Sequence, residues 1–125
     1  FRLLQQFLIG NDYGLEESEL KISWRERVEE LREQGKVALW GAGAKGATLA
    51  NLIDPDGILI DCIVDLNPQK QGKFIPGSGH KIVAPNALAI NDIGSALLMN
   101  PNYRQENEQI LASAGIQTTL INWSN

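Results

Sequence analysis

The sequence has few of the side chains that most often bind metals or act as nucleophiles, with one cysteine and one histidine among 125 residues. Cys62 lies inside an apolar stretch, which excludes a disulfide framework and a thiolate metal site. Because His80 is the only histidine, we predict neither a histidine-based metal cluster nor a Ser-His-Asp set. Paired carboxylates and metal-ligand spacing are missing too, so we expect no catalytic residue and no metal ligand.

The chain also lacks a basic patch and a long apolar run. Its net charge is −4, which argues against nucleic-acid binding. No apolar segment is long enough to span a bilayer, and no secretory signal opens the sequence. We therefore expect a protein of the reducing cytoplasm with no membrane partner. Because the chain starts with Phe1 rather than methionine, we expect further sequence upstream.

What the chain does have is a glycine-rich turn between two apolar strands. The strand Val37–Trp40 leads into Gly41-Ala-Gly43-Ala-Lys45-Gly46, an apolar helix follows, and a second strand ends on Asp65. This is the order of a dinucleotide-type fold: Gly41 permits a tight turn, Gly43 lets phosphates approach the backbone, and Gly46 allows close helix packing. We expect the amides that open the helix, together with the Lys45 ammonium, to face an anion.

Helical and strand patterns alternate along the rest of the chain. An apolar stripe through Trp24 predicts a helix from Glu16 to Gln34, and residues 1–14 suit a short helix. Further elements are predicted as strands at His80–Val83, Ala96–Met99 and Gln117–Asn122, and as helices from Pro85 to Ile90 and from an Asn102 cap to Ala114. The fold is therefore predicted to be α/β, a Rossmann-like three-layer sandwich with a mainly parallel sheet, preceded by an N-terminal helical segment. We divide it into a helical connector (1–34) and a Rossmann-like domain (35–125).

Polar residues follow two of the predicted strands, at the edge where ligands bind in open α/β sheets. Asn67 and Lys70 come after the second strand, and Asn100 and Tyr103 come after the fourth. Lys70 could pair with a pyrophosphate, and Asn100 and Tyr103 could hydrogen-bond a sugar or a base edge. A solvated loop lysine is the alternative for Lys45, and an ordinary polar surface loop is the alternative for Lys70. For the segment after the fourth strand, the alternative is that Asn102 simply caps the next helix.

For three further residues, the expectation concerns only where they lie. We expect the Pro76–Gly79 turn to bring His80 toward the same edge of the sheet. Arg104 and Glu106 are expected to face solvent. From the residues alone, three interpretations stay open: a nucleotide-binding domain, an NAD(P)-dependent oxidoreductase fragment whose Asp65 binds a ribose diol, and a scaffold that binds no ligand.

Several motifs in order resemble one family. They are Trp40-Gly-Ala-Gly-Ala-Lys-Gly46, then Ile63-Val64-Asp65-Leu-Asn67-Pro68-Gln-Lys70-Gln71-Gly72, and then Met99-Asn100-Pro101-Asn102-Tyr103. Together they resemble the C-terminal domain of the S-adenosylmethionine (SAM)-dependent C-methyltransferases that act on nucleotide-linked deoxysugars, and the resemblance runs from about Leu20 to Asn122. Family members commonly have Pro-Gly-Thr-His-Ile-Pro where this chain has Pro76-Gly-Ser-Gly-His80-Lys81, so no role is carried over to the displaced histidine.

The resemblance implies a Rossmann-like domain that holds a nucleotide-linked sugar against an upstream SAM-binding domain. SAM and zinc would belong to the upstream parts, and no cofactor is expected to bind to this domain. The expected substrate- and phosphate-binding residues are Gly41, Gly43, Lys45, Gly46, Asp65, Asn67, Lys70, Asn100 and Tyr103. The domain alone is not expected to be catalytic.

Overall fold

The computed structural model of the protein describes residues 17–123. The short helix predicted within residues 1–14 lies outside them. The helices are α1 (Glu17–Arg32), α2 (Ala44–Ile53), α3 (Ala87–Ile90) and α4 (Arg104–Ala114), with a 3-10 turn at Pro101–Tyr103. The strands are β1 (Lys36–Trp40), β2 (Ile63–Val64), β3 (Ile82–Val83), β4 (Ile93–Leu98) and β5 (Thr119–Asn122).

The five strands form one sheet in the order β3-β2-β1-β4-β5, and every pairing is parallel. Leu39 in β1 pairs with Ile63 on one side and with Leu97 on the other. Chain order reverses between β1 and β4, the position at which ligands enter open α/β sheets. All the residues that follow the strands are thereby brought to one edge, here called the carboxyl edge.

Helices cover both faces of the sheet because alternate residues of each strand point to opposite sides. Val37 and Leu39 join a cluster with α1 and α2, whereas Ala38 and Trp40 join a second cluster with α3 and α4. The predicted α/β fold, a Rossmann-like sandwich around a parallel sheet, is confirmed.

Helix α1 packs on the sheet through its apolar stripe. Trp24 lies in the first cluster and contacts Trp123, with ring centroids 5.8 Å apart at a tilt of 44°. The Arg27 guanidinium lies 5.1 Å from the Trp24 ring, within cation–π range. Near its end, Arg32 donates to the carbonyl oxygen of Leu59 and to Asp61, 3.0 Å away.

Strand β3 is shorter than the predicted His80–Val83, and the preceding segment folds back along it. The Ile82 N–H donates to the Lys73 carbonyl, and the Gly72 N–H donates to the Ile82 carbonyl, each at 2.8 Å. Phe74 and Lys81 form an isolated antiparallel bridge. The segment 72–75 therefore lies beside β3 on its outer side.

The predicted helix cap at Asn102 is wrong. The Asn100 side chain accepts a hydrogen bond from the Asn102 N–H at 3.1 Å and so begins the 3-10 turn, while α4 itself begins at Arg104. The proline at position 101 explains the shift, because its fixed φ suits the first position of a turn that Asn100 opens.

Within residues 17–123, none of the helices is both long enough and apolar enough to cross a membrane.

Candidate functional site

The glycine turn joins β1 to α2 at the carboxyl edge. Gly41 has a φ of +127°, which side chains rarely adopt, and its N–H donates to the Val64 carbonyl at 2.7 Å. Gly46 is buried, and a Cβ there would overlap the carbonyl oxygen of Gly41. The fold itself therefore requires glycine at both positions, because of the positive φ at Gly41 and because of the close packing at Gly46.

Gly43 differs from the other glycines of the described chain. It is the N-cap of α2, with an extended backbone (φ −78°, ψ −165°), and nothing lies within 4 Å of where a Cβ would stand. Each of the other described glycines has either a positive φ or an atom close to that position. The fold thus gives no reason for glycine at position 43, whereas an approaching phosphate would give one.

The start of α2 is suited to an anion. Gly43 supplies no capping side chain, and the first turn carries no acidic residue. The N–H groups of Ala44 and Lys45 donate to no other residue in the described range, and both residues are exposed. Unpaired amides and the positive end of the helix dipole favour a negative group here, and the Lys45 ammonium adds a full charge.

Asp65 directly follows β2, and its carboxylate accepts hydrogen bonds from two neighbouring turns. Its Oδ2 accepts from the Ala42 N–H and its Oδ1 accepts from the Asn67 N–H, both at 2.9 Å. In a dinucleotide enzyme, a carboxylate at this position binds a ribose diol. Here both oxygens of the Asp65 carboxylate already accept backbone hydrogen bonds.

A cavity of about 370 Å³ opens at the carboxyl edge, beside the point where chain order reverses. Its volume falls in the usual range of small-molecule pockets. The residues that line it are Trp40, Gly41, Asp65, Leu66, Leu98, Asn100, Tyr103, Glu106 and Asn107. Trp40 and Leu98 are buried and form an apolar floor, and Leu66 and Tyr103 are about half exposed.

The nine expected site residues all follow β1, β2 or β4, but the structure divides them between two places. Gly41, Asp65, Asn100 and Tyr103 line the cavity. The remaining five belong to the start of α2 and to the loop after β2, and do not line it: Gly43, Lys45, Gly46, Asn67 and Lys70. In that loop, the Asn67 side chain accepts from the Gln69 N–H at 3.0 Å, which makes its carbonyl oxygen part of the turn.

Sequence reasoning missed five cavity residues: Trp40, Leu66, Leu98, Glu106 and Asn107. A helical signal for two of them was present, because Glu106 and Asn107 lie three and four residues after Tyr103 and share its face. Glu106 is exposed as expected, yet it borders the cavity. Arg104 does not simply face solvent: it donates to the Asn122 side chain at 3.0 Å and to the Leu120 carbonyl at 2.9 Å.

The expectation about His80 is wrong in two respects. It lies before β3, at the amino edge of the sheet, because a parallel connection must return there before the next strand begins. The sequence was also expected to hold no Ser-His-Asp set, but Ser78 Oγ lies 2.7 Å from His80 Nδ1, and His80 Nε2 lies 2.7 Å from Asp54 Oδ2. The serine and the histidine belong to one turn, and the histidine and Asp54 side chains are almost fully buried.

Asp54 joins this chain of hydrogen bonds to the loop after α2. Burial alone would raise the pKa of its carboxyl, but hydrogen bonds from the Ile60 N–H, His80 and the Ile58 N–H stabilise the carboxylate and leave its pKa below the ordinary value. Together these contacts tie the 54–60 loop and the Ser78 turn to the end of α2.

Cys62 lies buried beside β2, where burial and, to a smaller extent, the neighbouring Asp61 raise the pKa of the thiol to about 11. It is therefore a poor nucleophile and a poor metal ligand at neutral pH. In the described part of the chain, no group of three or more His, Cys, Asp or Glu side chains is placed to hold a metal ion.

Comparisons with known proteins add a family and a fold. A family model described as the C-methyltransferase C-terminal domain matches residues 4–121. No curated protein matches the chain. Among solved structures, the crystal structure of RSP, a Rex-family repressor, aligns with a TM-score of 0.50 and 19% sequence identity, covering 97% of this chain and 67% of that chain. At that identity, the likeness establishes the fold alone.

Proposed function

The chain belongs to the C-methyltransferase C-terminal domain family, and from that membership we propose that it binds a nucleotide-linked sugar and positions it for a catalytic domain outside this chain. The pyrophosphate would lie at the start of α2, against the backbone of Gly43 and near Lys45. Lys70 and Asn67 would flank it from the loop after β2.

Gly43 is the single observation that carries this proposal. Its backbone is ordinary, and the space where a Cβ would stand is open, so alanine would fit the free protein. A phosphate oxygen that bonds to the amides of the first helical turn would need that space. The exposed Lys45 side chain lies within the same turn and would supply the counter-charge.

The proposed contribution to methyl transfer is orientation. Binding energy gathered from the nucleotide part, far from the reacting carbon, would hold that carbon against the methyl donor. The proposal assigns zinc and SAM to upstream domains, as the resemblance to the C-methyltransferases implies. It also places the protein in the cytoplasm.

Isothermal titration of the protein with thymidine-diphospho sugars tests the proposal. We expect Gly43→Ala and Lys45→Ala each to weaken binding about tenfold or more, since one blocks the phosphate and the other removes its charge partner. Lys36→Ala is the matched control for charge, because Lys36 is exposed and begins β1 at the opposite edge of the sheet. The melting temperature of Gly43→Ala should equal that of the unsubstituted protein.

Two alternatives give different results in the same assay. An NAD(P)-binding fragment would bind NAD(H) more tightly than the sugar nucleotides, and Asp65→Asn would abolish that binding. Against this alternative, both oxygens of Asp65 already accept backbone hydrogen bonds. A scaffold without a ligand would show no heat of binding with SAM, NAD(H) or any nucleotide sugar.

A further inference from the structure

The cavity at the carboxyl edge has a chemistry opposite to that of the helix start beside it. Two carboxylates, Asp65 and Glu106, line the cavity, and no lysine or arginine of the described chain does. A phosphate placed there would lie beside two like charges with no cation to offset them. The cavity is therefore unsuited to the charged part of a nucleotide.

Asn107 is the polar residue most enclosed at this site. It is only 4% exposed, it lies on α4 and it lines the cavity. Neither polar atom of its side-chain amide is both fully enclosed and without a partner, and the amide forms no hydrogen bond with another residue of the described range. Because Asn107 lines the cavity, a ligand or water there would satisfy the amide.

The hydrogen-bonding groups of the lining favour a ligand that brings donors. The Glu106 carboxylate only accepts, and the Asn107 amide offers one acceptor and one donor group. Asp65 adds negative charge, but both of its oxygens already accept backbone hydrogen bonds. Asn100 has already used its carbonyl oxygen to accept from the Asn102 N–H, which leaves its NH₂ group for the ligand. Hydroxyl groups match this set because each can donate to a carboxylate and accept from an amide.

The remaining walls are apolar and suit the faces of a ring. The buried side chains of Trp40 and Leu98 form the floor, and the Tyr103 ring and Leu66 form exposed walls. A pyranose combines apolar C–H faces with an edge of hydroxyl donors, so it matches both features of the cavity.

We propose that this cavity is a sugar subsite, that Asn107 and Glu106 determine its specificity through hydrogen bonds to ring hydroxyls, and that phosphates stay outside it at the start of α2. The inference rests on the proposed function in one respect, which is that the sugar and the phosphates belong to the same ligand. The preference of the cavity for a neutral, hydroxyl-bearing ring stands on its own lining.

Two binding measurements test the subsite. The first compares the Kd of thymidine diphosphate with that of its sugar conjugates, and the ratio gives the contribution of the sugar. We expect Asn107→Leu and Glu106→Gln to reduce that ratio about tenfold while the Kd of thymidine diphosphate stays unchanged. Glu108→Gln is the matched control, since it makes the same substitution on α4 at a residue that does not line the cavity.

The second measurement uses NMR and needs no nucleotide. Methyl glycosides of several hexoses at millimolar concentration should shift the side-chain amide resonances of Asn107 and Asn100, and inorganic phosphate should not. Because Glu106 is exposed, the Glu106→Gln protein remains folded and informative even if Asn107→Leu does not fold.

The outcomes separate the two proposals. An unchanged sugar contribution in both variants, or a phosphate-induced shift of the Asn107 amide, overturns the subsite whatever binds at Gly43. Glycoside shifts without any binding of nucleotides support the subsite and overturn the proposed function. Nucleotide binding that is weakened by Gly43→Ala, with no sugar effect at Asn107 or Glu106, supports the function alone.

Discussion

The backbone of Gly46 lies against the carbonyl oxygen of Gly41 with no room for a Cβ between them. This contact brings the first turn of α2 against the end of β1. The sequence motif gives no difference between Gly43 and Gly46, but the structure does. Glycine at position 46 is required for packing, whereas glycine at position 43 is not.

We expect Gly46→Ala to destabilise the protein by about 2 kcal/mol or more, since backbone atoms must move to admit the methyl group. Gly43→Ala should stay within about 0.5 kcal/mol of the unsubstituted protein, because its Cβ would meet nothing. Urea denaturation monitored by tryptophan fluorescence measures both. Equal losses in the two variants would contradict the assignment of separate roles.

The Asp54 carboxylate should make stability fall in acid. Its pKa in the folded protein is lowered, so the native state binds fewer protons than the unfolded state. Its contribution is present above the ordinary aspartate pKa of about 3.9 and is lost as the pH falls through the lower folded value. Thermal melts between pH 2 and 7 should therefore show a smaller acid-induced loss for Asp54→Asn.

The same variant should also be less stable at neutral pH, by about 1.5–3 kcal/mol, because a neutral amide replaces the charged acceptor of several hydrogen bonds. Asp56→Asn is the control, since Asp56 is an exposed carboxylate nearby. A pH profile of Asp54→Asn that matches the unsubstituted protein would show that Asp54 does not carry the effect.

Cys62 should resist thiol reagents in the native state. Burial raises its pKa to about 11, so little thiolate forms at pH 7, and the side chain is enclosed. Because it is the only cysteine, a single labelling signal reports on it. We expect no reaction with a maleimide at neutral pH until denaturant is added. Rapid labelling of the folded protein would contradict the buried placement.

Arg104 should contribute to stability through β5. Arg104→Ala removes hydrogen bonds to the Asn122 side chain and the Leu120 carbonyl, and we expect a loss of about 1–3 kcal/mol. Glu108→Gln weakens only an exposed pair with Arg104 and should cost less than about 1 kcal/mol. Chemical denaturation compares the two, and equal effects would mean that the contact with β5 adds nothing.

The packing of α1 makes Trp24 a core residue. Trp24→Ala should cost about 3–5 kcal/mol, because it removes a large ring that packs against Trp123. Ile22→Ala, on the exposed side of the same helix, should change stability by less than about 0.5 kcal/mol. A small effect at Trp24 would mean that α1 is dispensable for the stability of the sheet.

Much of the fold could be predicted because its signals are local. Trp24 and its neighbours show a helical period, the runs around Leu39 and Leu97 are continuously apolar, and Gly41 and Gly115 mark turns. Both glycines indeed have positive φ. The start of β3 was misplaced because it depends on a fold-back at Lys73, which local patterns do not encode. The start of α4 was misplaced because the 3-10 turn that Asn100 and Pro101 begin was read as part of the helix.

The expected site residues that reach the cavity all follow strand ends. Gly41, Asp65, Asn100 and Tyr103 reach the cavity because parallel strands bring their carboxyl ends together. Asn107 was missed because its role depends on how α4 docks on the sheet. The pairing of His80 with Asp54 joins residues 26 positions apart, so no spacing within a single element could indicate it.

The fold-back along β3 has a consequence for self-association. A sheet edge normally offers unpaired backbone groups to a strand from another molecule. Here the outward-facing N–H and C=O of Ile82 are already occupied by the carbonyl of Lys73 and the N–H of Gly72. The segment that leads into β3 thus shields this edge from intermolecular strand addition, and a substitution that loosened Gly72 would open a route to aggregation.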